Sequence, residues 1–135
     1  MFLDACHSAG KGDTSDNPGF AAVLNQLAHR AEYNLSPVIT FASCEANETS
    51  KELPKLQHGA FTAAVLDGLA GAADSLATGE ITATDLNYYV RARVRELLGS
   101  RIQEEGPQSP DQYGNAGSAS STVLANVSPR QARLP

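Results

Sequence analysis

A strand, a helix and a second strand are predicted in succession near the start of the chain, and this order constrains the fold more than any other feature. Residues 1–5 form a short apolar segment. Residues 17–31 begin with Asn-Pro, a common helix start, and carry apolar side chains at helical spacing. Residues 38–43 are mostly apolar, with β-branched and aromatic members, as in a strand buried on both faces of a parallel sheet. The two strands should therefore be parallel neighbours, joined by a right-handed crossover helix.

Two more helices are predicted downstream. The first covers 59–71 and ends at Gly71, because glycine readily adopts the left-handed backbone that often follows a helix. Its apolar face should consist of Phe61, Val65, Leu66 and Leu69. Thr82, with Asp85 three residues later, resembles a capping box and should start a helix that ends before Gly99. The apolar side of that helix should consist of Leu86, Tyr89, Val90, Val94, Leu97 and Leu98.

The remaining segments complete the predicted domain. Residues 45–57 and 103–121 are polar and without a clear period, so they are predicted as loops. Residues 122–127 should form the last strand of the same open sheet as the strands at 1–5 and 38–43. The pattern predicts an α/β domain over 1–127, followed by a flexible tail at 128–135.

The position of Cys6 at the end of a strand suggests a functional site. Open α/β sheets bind their ligands at the carboxyl ends of adjacent central strands. A sheet that began with the strand at 1–5 would leave an edge open, which native proteins normally cover. We therefore expect a further part of the domain to precede Met1.

Composition excludes several classes of function. The chain has 10 basic and 15 acidic residues, a formal charge of −5, and lacks a basic cluster, so nucleic acid is not an expected partner. No apolar run reaches the roughly 18 residues of a membrane span. Two cysteines are too few for a disulfide framework. The chain is expected to be soluble and cytoplasmic.

The segment Leu3-Asp4-Ala5-Cys6-His7-Ser8 resembles the nucleophile motif Asp-x-Cys-His-Ser-Gly of metacaspases and their bacterial relatives, which are caspase-like cysteine peptidases. Ala9 stands where that family usually has glycine. Weaker similarities follow in the family's order, at 41–44, 50–52, 58–62 and 79–82. The resemblance extends nearly to Val127. It implies a caspase-like open, mainly parallel sheet flanked by helices, here without its N-terminal strands.

The resemblance assigns the role of nucleophile to Cys6. A thiol with a free pKa near 8.5 needs a neighbouring imidazole or dipole to ionise at neutral pH. In the family that imidazole belongs to a His-Gly turn on the preceding strand, which would lie upstream of Met1. His7, His29 and His58 are better interpreted as a motif neighbour, a surface residue and a helix-flanking residue. We therefore expect the 135-residue chain alone to be inactive.

Four further residues are candidates for substrate binding. Asp4 should share a side of its strand with Cys6, and the resemblance implies that it lines a pocket selecting Arg or Lys before the cleaved bond. The alternative is a strand-end carboxylate that binds local N–H groups. The resemblance places the end of the strand at 38–43 beside the substrate cleft and so implies that Ser43 and Cys44 touch the substrate backbone, although a cysteine at a strand end is most often a small buried residue. Glu52 is either a substrate contact or a solvated loop charge.

The sequence thus predicts a cysteine endopeptidase that acts on protein or peptide substrates. The alternative is a non-catalytic α/β interaction module, or a pseudoenzyme that needs a partner chain. A serine hydrolase based on Ser8 lacks the Gly-x-Ser-x-Gly elbow, and a zinc site from Cys6, His7 and Cys44 lacks paired ligand spacing. No cofactor or metal is expected, and no ordered carboxylate motif supports the calcium dependence seen among metacaspases.

Overall fold

The computed structural model describes residues 2–3, 39–44, 48, 50–55, 58–114 and 116–127. The helix predicted at 17–31 and the tail predicted at 128–135 lie outside these ranges.

A three-stranded sheet forms around the second predicted strand. Strand β1 (Phe2–Leu3) is parallel to β2 (Thr40–Ala42), with Phe2 opposite Phe41 and Leu3 opposite Ala42. The rings of Phe2 and Phe41 stack with their centroids 5.1 Å apart. On the other side of β2, β6 (Asp111–Tyr113) pairs in the antiparallel direction. The prediction of two parallel neighbours is therefore confirmed.

Two small sheets complete the described strands, and both are antiparallel. Strand β3 (Glu52–Leu53) forms a hairpin with β4 (His58–Gly59). Strand β5 (Glu80–Thr82) pairs with β7 (Val123–Asn126), with a bulge between Ile81 and Thr82.

The structure is mixed α/β, but the predicted mainly parallel sheet is wrong for the described residues. One of the four strand pairs, β1–β2, is parallel, and the other three are antiparallel. The last strand is also misplaced in the prediction, because β7 pairs with β5 and not within the sheet that contains β2. The connection from β3 to β4 has four residues, whereas a parallel crossover needs about a dozen or more. Such a short connection permits only a hairpin.

The described residues also form four α-helices. They are α1 (Ala60–Asp67), α2 (Ala83–Leu98), α3 (Arg101–Glu105) and α4 (Ala116–Ser121). Because β6, α4 and part of α3 fall within 103–121, the prediction of that whole segment as a loop is wrong. The loop predicted at 45–57 likewise contains β3.

Helix α1 continues into a wider, π-type turn at Gly68–Ala72, in which Gly71 has φ of 134°. Gly71 thus adopts a positive φ, as expected near a helix end. Leu66 is 51% exposed, so its predicted place on the apolar face is wrong. It lies about 100° around the helix from buried Val65, because an α-helix has 3.6 residues per turn. A Cβ at Gly68 would lie 2.7 Å from Leu86 Cδ1, so the absent side chain allows α1 and α2 to pack closely.

Helix α2 starts at the predicted capping box. The Thr82 hydroxyl accepts a hydrogen bond from Asp85 N–H at 3.2 Å, and Asp85 Oδ2 accepts one from Thr82 N–H at 2.9 Å. The helix buries one face against α1 and the strands. Its fully buried apolar side chains beyond the first turn are Leu86, Val90, Val94 and Leu98, with Tyr89 and Leu97 partly buried beside them. The prediction of this helix and its apolar side is confirmed.

The carboxylate of Asp74 holds the turn that precedes β5. Its Oδ1 accepts hydrogen bonds from the N–H of Thr78 at 2.9 Å and from the Thr78 hydroxyl at 3.1 Å. Its Oδ2 accepts one from the N–H of Gly79 at 2.9 Å. Burial raises the pKa of Asp74, but the three hydrogen bonds to the ionised form together lower it further, so the net change in pKa is downward.

We expect Asp74→Asn to destabilise the protein at neutral pH and to have progressively less effect in acid. A carboxyl whose pKa is lowered by folding stabilises the native state above its unfolded pKa, about 3.9, and this contribution disappears as the pH falls through the folded value. The measurement is the free energy of urea unfolding of both proteins between pH 7 and pH 2.5. Asp67→Asn, at an exposed position of α1, is the control. If the difference in free energy of unfolding between wild type and Asp74→Asn stayed constant with pH, the ionised carboxylate of Asp74 would not be what stabilises the turn.

Candidate functional site at the strand ends

The parallel pairing of β1 and β2 brings two predicted site segments to one edge of the sheet. Leu3, the last residue of β1, lies opposite Ala42, the last residue of β2. Asp4 and Cys6 follow Leu3 but lie outside the described residues. Ser43 and Cys44 follow Ala42 and are described. The end of β2 is therefore the described part of the candidate site.

Ser43, Cys44 and Ser50 form a buried polar cluster. The hydroxyl oxygens of Ser43 and Ser50 are 2.5 Å apart, and the Ser50 hydroxyl lies 3.7 Å from Cys44 Sγ. The thiol of Cys44 in turn donates to the carbonyl of Glu48 at 3.6 Å. Ser43 and Cys44 are fully buried. Their predicted contact with a substrate backbone stays a prediction, since it would require access to groups that are covered in this conformation.

The thiol of Cys44 is poorly suited to act as a nucleophile. Burial raises its pKa, and this effect outweighs the hydrogen bonds from Ser50 and Ser43, which favour the thiolate. A thiol with a raised pKa is almost entirely protonated at neutral pH, and the protonated form is not the attacking species. Cys44 has the surroundings of a structural cysteine.

Gln108 joins the end of β2 to Lys51. Its Oε1 accepts a hydrogen bond from the Lys51 N–H at 2.8 Å, and its Nε2 donates to the Ser43 carbonyl at 3.0 Å. Gln108 is 6% exposed, so water cannot readily replace either bond. Both ends of one buried amide side chain thus fix two points of the segment 43–51.

Lys51 and Glu48 add two contacts between the same segments. Lys51 Nζ donates to the Pro107 carbonyl at 3.1 Å, and burial lowers the pKa of this amine. The carboxylate of Glu48 accepts hydrogen bonds from the N–H and the hydroxyl of Ser109, at 2.7 and 2.9 Å. Residues 107–109 therefore clamp the segment that follows β2 through both backbone and side-chain groups.

Glu52 and His58 lie in the hairpin next to this cluster. The backbone of Glu52 pairs with Gly59, and that of Leu53 pairs with His58. The role of the Glu52 side chain, which is not described, stays a prediction. His58 is the first residue of β4 and lies two residues before the start of α1 at Ala60. This position agrees with its interpretation as a helix-flanking residue.

The sequence interpretation missed the clamp. Gln108 and Ser109 lie in a segment predicted as a loop, and Gln108 bonds to residues 57 and 65 positions earlier in the chain. Such pairings have no local signal. The flanking prolines, Pro107 and Pro110, were the one available hint, because they mark a segment without regular backbone pairing.

Comparison of the chain with protein-family models, with curated proteins and with solved structures found no match. Within the described part of the chain, no group of three or more His, Cys, Asp or Glu side chains could hold a metal ion. None of the helices that the structure describes is long and apolar enough to cross a membrane.

Proposed function

We propose that the chain contributes to a cysteine endopeptidase of the caspase or metacaspase type, with Cys6 as nucleophile and cleavage after Arg or Lys. The observation that supports this most is the parallel pairing of β1 and β2, with Leu3 opposite Ala42. Three residues of chain reach at most about 11 Å, so a nucleophile three residues after Leu3 can lie no further than that from the strand end. Parallel strand ends are the usual location of an α/β active site.

The buried state of Cys44 supports Cys6 by elimination. The chain has two cysteines, and the one in the described part is fully covered, with its thiolate disfavoured. A nucleophilic thiol in this protein is therefore best assigned to Cys6.

We propose a cytoplasmic location because two cysteines do not make a disulfide framework.

The proposed site also needs a general base, and we do not assign that role to His7, His29 or His58. In the resembling family the imidazole comes from a strand that precedes the nucleophile in the chain, whereas His58 follows Cys6 and lies in the β3–β4 hairpin just before α1. We propose that a segment outside residues 1–135 provides it. We carry over the chemistry of the family and not its mainly parallel sheet, because the described strands do not form one.

We expect the 135-residue chain to leave peptides intact, and the polypeptide extended by any coding sequence upstream of Met1 to cleave after Arg or Lys. The measurement is hydrolysis of fluorogenic peptides that end in Arg, Lys or Asp. Cys6→Ala should abolish turnover, because the attacking thiolate is lost, a reduction of at least about 1,000-fold.

Cys44→Ala is the matched control, since it removes the other thiol, and it should retain turnover if its thermal unfolding shows that it folds. Turnover that survives in Cys6→Ala would overturn the assignment of the nucleophile. An extended polypeptide that folds but cleaves none of the three peptides would favour the alternative, a non-catalytic α/β interaction module.

A further inference from the structure

A small cavity lies between the second half of α2 and the segment 107–110. Its volume is about 110 Å³, room for three or four waters at roughly 30 Å³ each. Arg91 and Arg95 line one side, and Ile102, Pro107 and Pro110 line the other. The cavity lies on the side of α2 that faces the clamp segment but contains none of the proposed peptidase residues.

The two arginines are four residues apart, so they lie on the same face of α2. The distance from Arg91 Nη1 to Asp111 Oδ1 is 3.7 Å, too long for a hydrogen bond. Arg95 has neither an ion pair nor a side-chain hydrogen bond to another described residue. Most of the guanidinium donors at this cavity are thus unengaged by described protein groups.

Two other arginines of these helices differ in this respect. Arg93 binds Glu96 at 2.9 Å, and Arg101 binds Glu105 at 2.9 Å through a two-pronged contact. Carboxylates one helical turn away satisfy both of them. The pair at the cavity has no such neighbour on its own helix.

The opposite wall contains both apolar and polar residues, and the side-chain donors of its polar residues are already engaged. Prolines have no N–H to offer, and Ser109 donates both its N–H and its hydroxyl to Glu48. The Gln108 amide is used by Ser43 and Lys51. The side-chain donors at this cavity that described groups leave unused are therefore mainly those of Arg91 and Arg95, both of which are exposed to solvent.

We propose that this cavity binds a small oxyanion, either a phosphate or a carboxylate group, between Arg91 and Arg95. Guanidinium groups bind both kinds of oxyanion through two parallel N–H···O bonds. Asp111 is the competing carboxylate beside Arg91. The net charge of −5 repels anions at long range, so the affinity should depend on ionic strength. This site is separate from the proposed peptidase site. It would bind an anion through arginines, whereas the proposed peptidase pocket would bind a basic side chain through Asp4.

The test is a titration of the ¹⁵N-labelled 135-residue chain with sodium phosphate and, separately, with sodium acetate, each at constant ionic strength. We expect saturable changes in the backbone signals of Arg95 and Ser109. Arg95→Gln should raise Kd at least tenfold, which corresponds to about 1.4 kcal/mol. Arg93→Gln, which removes a paired arginine from the same helix, should leave Kd within about twofold.

Saturation with phosphate alone assigns a phosphate-bearing ligand, and saturation with acetate alone assigns a carboxylate. Arg95→Lys keeps the charge but loses the planar fork, so it should weaken binding less than Arg95→Gln and serves if the glutamine variant does not fold. Changes that never saturate, or an equal Kd in wild type and in the folded Arg95 variants, overturn the site. None of these outcomes depends on whether Cys6 is a nucleophile.

Discussion

Gln108→Leu should lower the free energy of unfolding by about 3 kcal/mol, because it removes the hydrogen bonds from Gln108 to two buried backbone groups. The Lys51 N–H loses its acceptor at 2.8 Å, and the Ser43 carbonyl loses its donor at 3.0 Å. An unsatisfied buried polar group costs about 1–3 kcal/mol, and leucine has nearly the size of glutamine but no hydrogen-bonding atoms. Urea denaturation followed by circular dichroism measures the change.

A local measurement separates the loss of the clamp from general destabilisation. Hydrogen exchange at the Lys51 amide should accelerate more in Gln108→Leu than exchange at Ala64, which lies in the core of α1. Gln103→Leu, on the exposed side of α3, is the matched control and should change stability by less than about 0.5 kcal/mol. A loss below about 1 kcal/mol in Gln108→Leu would show that water or a side-chain shift replaces these bonds.

The sequence predicted best those elements whose signals are local. Helix α2 has its cap, its apolar spacing and its terminating glycine within 82–99, so every signal lies in the helix or directly beside it. The parallel pairing of β1 and β2 could also be predicted, because a crossover segment between two apolar strands leaves few other arrangements.

The elements that were missed depend on residues far away in the chain. Strand β6 has the sequence Asp-Gln-Tyr, which lacks an apolar alternation. It forms a strand because it pairs with the edge of β2 that β1 leaves open. Strand β7 carries a correct strand signal, but its partner is β5 and not the sheet of β2. Local patterns specify that a strand forms, whereas the pairing depends on which edges the rest of the chain leaves open.

The candidate site shows the same division. The strand end at Ser43 and Cys44, and the buried state of that cysteine, could be expected from the sequence alone. The clamp through Gln108 and Ser109 could not, because polar side chains in a proline-flanked segment are also what a solvated loop contains. Gln108 and Ser109 hold the segment after β2 only because the fold brings them next to it.

In any form of the protein that has the proposed activity, Asp4→Ala should reduce kcat/KM for cleavage after Arg by at least about 100-fold, or about 2.7 kcal/mol. Asp4 directly follows Leu3, the residue that pairs with Ala42 at the strand end. A carboxylate in a partly desolvated pocket binds a guanidinium, and removing one partner of such a pair costs about 2–5 kcal/mol. Steady-state kinetics with peptides that end in Arg, Lys and Asp measure the effect.

Alkylation distinguishes a lost pocket from a collapsed fold. Cys6 in Asp4→Ala should react with iodoacetamide at the wild-type rate, because the substitution removes a binding group and not the thiol. Cys44 should stay unmodified in both proteins, since it is fully buried, and should react only after unfolding. Asp67→Ala, which removes an exposed carboxylate from α1, should leave the kinetics unchanged. If Asp4→Ala kept its preference for Arg, or if the wild type cut after Asp, Asp4 would be a strand-end residue that binds local N–H groups, and the selection of a basic residue would have to come from elsewhere in the site.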